Sequence, residues 1–193
     1  MSLFTDLDKN GFRKKVLGEI AAFDEAYIIY SDETIFKTLS SLPEVLSADT
    51  VFSYLSVGRE VDTRRFLKFC LSLGKDVALP VVLSDSKMEF ALIKGLDELA
   101  EGAYGIPAPL SGAPRAEPTE RDICIVPALC FDKQLCRLGR GGGYYDRFLI
   151  SCRAKTIGLC RERLVFDRVP TQPHDIGVSL LITEEKSGAA KGP

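Results

Sequence analysis

VFSYLSVGREVDTRRFLKFCLSLGKDVALPVV, residues 51–82, holds two apolar runs separated by an amphipathic segment. The first run, 51–57, is β-branched and aromatic, the composition of a buried strand. From Thr63 to Leu73, the residues Phe66, Leu67, Cys70 and Leu71 recur at helical spacing and predict a helix with one buried stripe. Gly74 is placed to end that helix, because glycine enters the left-handed conformation without steric cost. VALPVV (77–82) supplies the second strand, so the stretch reads as a β-α-β unit.

The same grammar extends outward. Upstream, Ser31 can cap a helix whose first turn holds Asp32 and Glu33, with Ile35, Phe36, Leu39 and Leu42 on one face and Pro43 after the last turn. Downstream, MEFALI (88–93), ICIVPA (123–128) and TIGLC (156–160) read as strands, with a helix around 144–152. Between them, 102–121 carries Pro107, Pro109, Pro114 and Pro118 without periodicity and is expected to be a functional or mobile loop. Strands alternating with helices imply an α/β fold, a three-layer α/β/α single domain over 1–185 with a mostly parallel central sheet. The tail at 186–193 is small and charged, and is expected to be disordered.

Composition narrows the partners. The formal net charge of −2 lacks the basic excess of a nucleic-acid binder. No apolar run approaches the ~20 residues of a membrane span, and the start MSLFTDLDKNGF is too polar for a signal peptide. A cytoplasmic protein is expected, a monomer or weak homo-oligomer. Cys70, Cys124, Cys130, Cys136, Cys152 and Cys160 contain no C-x-x-C pair and read as small buried hydrophobes.

In an open α/β sheet, ligands bind beyond the carboxyl ends of the strands. The segments leaving strands at that edge are 58–62, 129–143 and 161–175. The most unusual is CRLGRGGGYYDRFL (136–149). Gly139, Gly141, Gly142 and Gly143, between a strand and a helix, can turn consecutive N–H groups into a concave anion nest. A helix terminus contributes only ~0.3–1 kcal/mol to anion binding, so a triphosphate needs the neighbouring Arg137, Arg140 and Arg147. No lysine follows the glycines, which excludes a Walker A loop. Tyr144 stands where the Rossmann fingerprint needs its third glycine, so the layout is Rossmann-like without the dinucleotide fingerprint. Read alone, these glycines also fit a flexible loop, and Lys9 and Arg13 fit ordinary charges at a helix start.

The stretch F-D-K-x-x-x-R-L-G-R-G-G-G-Y-Y-D-R-F-L (131–149) resembles the signature of the 5-formyltetrahydrofolate cyclo-ligase family, the methenyltetrahydrofolate synthetases. Further matches follow in order: K-x-x-x-R at Lys9 and Arg13, Y-L-S-x-x-x-E-V-D-T at 54–63, A-L-P at 78–80, G-I-P-x-P at 105–109 and P-x-x-P-H-D at 170–175. The resemblance implies an ATP-dependent ligase that uses Mg2+ and closes 5-formyltetrahydrofolate to 5,10-methenyltetrahydrofolate. By resemblance, ATP meets Lys9, Arg13 and the loop Arg137, Leu138, Gly139, Arg140, Gly141, Gly142, Gly143, Tyr144 and Tyr145. The folate meets Leu55, Glu60 and the stretch from Arg140 to Tyr144. Asp146 and Asp175 hold the metal, and Arg140 carries the catalytic charge role. Asn at either aspartate is expected to leave thermal stability nearly unchanged.

Two positions depart from the family pattern: Ala108 replaces a common Glu or Gln, and Leu164 replaces a common Gln. Both changes remove polar side chains and bear on folate affinity. Two other functions stay open on sequence. One is a nucleotide-binding regulatory or inactive relative; the other is a sugar-phosphate isomerase or coenzyme A transferase-like enzyme, which would need a base or acyl-accepting carboxylate.

Overall fold

A computed structural model describes residues 8–85, 87–185 and 187–189 of the chain. Helix α1 (Lys9–Ala22) starts at Asp8, whose carboxylate accepts from the Gly11 N–H, and α2 (Glu25–Ser41) starts at Asp24, which accepts from the Tyr27 N–H. Ser31 is therefore not a cap. Asp24 already caps the start of α2, and Ser31 sits buried within the helix, its hydroxyl donating to the Ile28 carbonyl.

The chain continues through α3 (Pro43–Ser47), β1 (Thr50–Phe52), α4 (Arg64–Ser72), β2 (Asp76–Val82) and β3 (Met88–Ile93). Then come β4 (Leu99–Glu101), β5 (Pro107–Pro109), β6 (Arg115–Ala116), β7 (Ile123–Val126), β8 (Cys130–Asp132) and β9 (Arg137–Leu138). The last elements are α5 (Tyr144–Leu149), β10 (Lys155–Leu159), β11 (Val165–Phe166), β12 (Leu180–Ile182) and β13 (Ser187–Ala189). The segment 102–121 is thus not a plain loop. Pro107–Pro109 pairs with Leu99–Glu101 in a two-stranded ribbon, where an edge tolerates proline. The Gly74 turn forms as read, with φ at 73°.

Among the described residues, eight strands form one sheet in the order β13-β12-β10-β7-β1-β2-β3-β6. Its central strands β12, β10, β7, β1 and β2 run parallel, while β13, β3 and β6 add antiparallel edges. Within the tail expected to be disordered, Ser187–Ala189 pairs with Ile182–Leu180. Backbone pairing needs no apolar side chain, and composition therefore misread that segment. Residues 186 and 190–193 lie outside the described residues.

Alternation along the parallel strands creates two cores. Val51, Ile123, Ile125, Ile157 and Ile182 face α2, α3 and α4, where Ile35, Leu39, Val45, Phe66, Leu67 and Cys70 are buried. Phe52, Cys124, Val126 and Leu181 face the other way, onto Phe12 and Val16 of α1 and Leu149 of α5. Helices cover both faces, and α/β layering of this kind leaves only the strand ends open. All six cysteines are unpaired; Cys70, Cys124, Cys130 and Cys160 are buried among apolar residues.

Gly158 of β10 in the main sheet lies against Phe131 of β8 in the small sheet β11-β8-β9. A Cβ there would stand 2.5 Å from the Phe131 ring, which is itself fully buried. Gly158→Ala is therefore expected to cost about 1–3 kcal/mol through overpacking. The change should appear as a lower urea midpoint at unchanged slope; an unmoved midpoint would show that Phe131 can yield.

Candidate active site

The strand read over 51–57 ends at Phe52, and residues 53–57 belong to no strand. The Ser53 N–H still bonds the Ala78 carbonyl, but Thr63 then gathers the backbone into a turn. Its hydroxyl donates to the Tyr54 carbonyl at 2.9 Å and accepts from the Ser56 N–H at 2.9 Å. Gly58, at φ 58°, completes the reversal. Glu60 is thereby delivered to the sheet edge, with Oε2 accepting from the Val57 N–H at 3.0 Å.

The glycine-rich segment arrives from β9 at the same edge. Gly141 (φ 108°) and Gly143 (φ 68°) need the conformations glycine allows, and Gly143 leads into α5. Arg147 of α5 donates to the Gly142 carbonyl at 2.9 Å. Helix α5 is only six residues long, so its dipole adds little and the positive charge comes from side chains. Arg140 reaches across to Glu60, its Nη2 donating to Oε1 at 2.8 Å.

Helix α1 contributes the remaining cations. Arg13 Nε donates to the Gly139 carbonyl at 2.9 Å, and its guanidinium lies against Gly141. Lys9 Nζ lies 2.7 and 2.6 Å from the two carboxylate oxygens of Asp175. Burial opposes the charge on Asp175, but Lys9 and the Gln172 N–H outweigh it and hold the carboxyl below its ordinary value. Asp146 Oδ1 accepts from Arg137 Nη2 at 2.6 Å and from the Ile176 N–H at 3.2 Å. Burial pulls the Arg137 guanidinium below its ordinary value, against the opposing effect of Asp146.

Every site residue that the family resemblance names lines one cleft of about 990 Å³: Lys9, Arg13, Leu55, Glu60, the run from Arg137 to Tyr145, Asp146 and Asp175. Arg147, read from the sequence as a further phosphate cation, lies outside that lining and holds the Gly142 carbonyl instead. Two donors in its wall, Arg137 Nε and the Tyr145 hydroxyl, are buried without a partner among the described residues. Burial raises the Tyr145 phenol well above its ordinary value, so it stays a neutral donor. The two aspartates share the cleft, each with a cation at 2.6 Å. Arg137 is 94% buried by its 6% exposure, which changes the expectation for Asn substitutions: Asp146 neutralises a charge that cannot reach water.

Sequence reading missed other contributors. Tyr104 lies at φ 59°, and its hydroxyl meets that of Tyr144 at 3.1 Å. Asn10 accepts from Arg13, and Gln172 accepts from Lys9. Tyr104 immediately precedes the G-I-P-x-P match and Gln172 falls inside P-x-x-P-H-D, so the signal was their position beside matched motifs. Of the departures, Ala108 lines the main cleft, whereas Leu164 is buried behind it. His174 exposes its side chain, 3.9 Å from Asp175.

One family model matches residues 6–184, under the description 5-formyltetrahydrofolate cyclo-ligase family. The chain belongs to that family. Among curated cyclo-ligases, that of Mycolicibacterium smegmatis is 33% identical over 73% of this chain and 76% of the relative. That of Escherichia coli is 29% identical over 77% of this chain and 85% of the relative. The solved 5,10-methenyltetrahydrofolate synthetase of Aquifex aeolicus superposes with a TM-score of 0.84 at 31% identity, covering 96% of this chain and 94% of that one. The synthetase from Mycoplasma pneumoniae gives 0.74 at 25% identity, over 92% and 99%. The cyclo-ligase fold is thus the mixed α/β architecture described above, with a mostly parallel sheet.

Proposed function

We propose that this cyclo-ligase family member converts 5-formyltetrahydrofolate to 5,10-methenyltetrahydrofolate, consuming ATP and releasing ADP and phosphate. One observation carries the reading: residues from both ends of the chain and its middle converge on a single cleft, which cations, glycines, Leu55 and Glu60 line together. A volume of about 990 Å³ lies at the upper end of the ~300–1,000 Å³ of small-molecule sites and suits two ligands together.

In this reading Lys9, Arg13 and the loop from Arg137 to Tyr145 take the triphosphate. The unpartnered Arg137 Nε and Tyr145 hydroxyl fit that assignment, because buried donors seek acceptors. Leu55, Glu60 and the stretch from Arg140 to Tyr144 take the folate. The formyl oxygen attacks the γ-phosphorus as ADP departs. N10 then attacks the formyl carbon and loses its proton, and phosphate leaves with the former formyl oxygen. The protein aligns donor and acceptor and neutralises phosphoryl charge. Arg140, bonded to Glu60 and adjoining the glycine nest, is the catalytic cation.

Asp146 and Asp175 fit a magnesium ion by donor chemistry, being hard carboxylates in a phosphate-binding cleft. Magnesium takes one or two such groups and completes its shell with phosphate oxygens and water. When bound it would neutralise charge on the triphosphate. Among the described residues no three His, Cys, Asp or Glu side chains come together, so phosphate oxygens have to share the coordination. We assign the protein to the cytoplasm, as a monomer or weak homo-oligomer with small-molecule partners. No helix among the described residues is long and apolar enough to cross a membrane. The isomerase or transferase reading needs a base or acyl-accepting carboxylate at the centre of the site, whereas the run of arginines and glycines in this cleft favours a nucleotide.

Incubation with ATP, magnesium and 5-formyltetrahydrofolate is expected to produce the methenyl chromophore, and omission of ATP or metal should abolish it. Folded protein that binds both substrates yet forms no chromophore would select the inactive relative.

A further inference from the structure

Behind the cleft lies a charged side chain that the proposed reaction does not use. Arg161 follows β10 and is 2% exposed, among the most deeply buried large side chains in the protein. Its guanidinium fork donates in three directions. Nε reaches the Ser31 hydroxyl at 2.9 Å, Nη2 the Asp32 carboxylate at 2.6 Å, and Nη1 the Arg59 carbonyl at 2.9 Å. The first two partners belong to α2; the third is the peptide carbonyl joining Arg59 to Glu60. Arg161, Glu60 and Arg140 also line one cavity of about 60 Å³. An unbroken chain of contacts therefore runs from Asp32 through Arg161 and the 59–60 peptide to Glu60 and Arg140.

We propose that Arg161 is a positioning residue that fixes the 58–62 turn, and so sets where Glu60 holds Arg140 and meets the folate. The inference rests on the site assignment of Glu60 and Arg140 made above. The turn needs such an anchor. Gly58 gives it a conformation with little intrinsic stiffness, and Glu60 stands at its tip. Arg59 Nη1 ties the turn to the Phe23 carbonyl at 2.6 Å, but Arg59 is itself an exposed side chain. Arg161 supplies the buried restraint. Asp32 sustains it at a cost, since burial pushes its carboxyl up to about 6 despite Arg161. A polar group held against that penalty marks a geometry that packing alone would not enforce. Guanidinium is suited to the role because its rigid planar fork spreads its donors over separate nitrogens and so bridges acceptors farther apart than a compact ammonium does.

The test is a double-mutant cycle on turnover. Arg161→Lys retains a buried positive charge near Asp32 but cannot span α2 and the Arg59 carbonyl together. It is chosen over Arg161→Met, which would leave Asp32 unpaired and endanger folding. For Arg161→Lys we expect KM for 5-formyltetrahydrofolate to rise and kcat/KM to fall by about 10-fold, with KM for ATP changed less than about twofold. In a Glu60→Gln background, already impaired, Arg161→Lys should cost less than about twofold more, because both changes act through one contact chain. The same loss in both backgrounds, or a lower melting temperature with unchanged folate KM, would make Arg161 purely structural. Unimpaired Glu60→Gln would instead remove Glu60 from the site, a separate failure visible before the cycle is closed.

Discussion

Arg140→Ala is expected to lower turnover by about 10³-fold, roughly 4 kcal/mol in the barrier, while leaving the fold nearly as stable as before. A cation on a transferring phosphoryl group acts on charge that develops only in the transition state, so its loss falls on kcat. The stability side follows from exposure. The Arg140 side chain is 59% exposed and its pairing with Glu60 lies at the cleft surface, where an ion pair is worth about 0–1 kcal/mol. Single-turnover measurement of chromophore formation, alongside thermal melting, separates the two effects. Near-normal turnover would move the catalytic charge elsewhere, with Lys9, Arg13 and Arg137 as the other cations of the same cleft.

Asp146→Asn is expected to do the reverse, combining a stability loss with a changed metal requirement. Its partner Arg137 has a side chain 4% exposed, at 2.6 Å. Removing one member of a buried pair costs about 3–5 kcal/mol, because the other charge stays behind without compensation. Asn keeps an acceptor for Arg137 and for the Ile176 N–H, so the low end of that range applies, and a melting temperature lower by roughly 6–12 °C follows for a chain of this size. The same variant should need more magnesium for activity, since an amide oxygen is a weaker ligand for a hard cation than a carboxylate. Asp175→Asn should share the metal effect with a smaller thermal loss, because Lys9 is 19% exposed and can turn its ammonium to water. A magnesium requirement unchanged in both variants would end the assignment of these carboxylates to the metal. An unmoved melting temperature for Asp146→Asn would show that Arg137 finds another partner.

The two variants differ for a reason that no linear motif contains, and the same division runs through the molecule. Residues 63–82 specified their own architecture, because apolar spacing, a helix-ending glycine and a β-branched run act over a few neighbouring residues. The glycine-rich segment was equally legible, since glycine takes the positive φ of Gly141 and Gly143 at least cost, and its arginines pointed to an anion site. Motif order then brought the site residues into one list before their positions in space were known.

Local reasoning failed where a distant partner decided the outcome. Ser31, followed by Asp32 and Glu33, carries every mark of a helix cap. Asp24 nevertheless starts α2, and Ser31 and Asp32 instead meet Arg161 from the far side of the sequence. The run 51–57 has strand composition throughout, but Thr63 folds its second half into the turn that presents Glu60. The tail composition gave no reason for a strand, whereas the exposed edge of β12 offered backbone donors and acceptors to pair with. The sequence by itself thus determined the central strands and helices and the residue types at the sheet edge, where short-range sterics and side-chain type suffice. Only the tertiary structure decided which charges would be buried together, because the stability of an ion pair depends on the water that surrounding elements exclude.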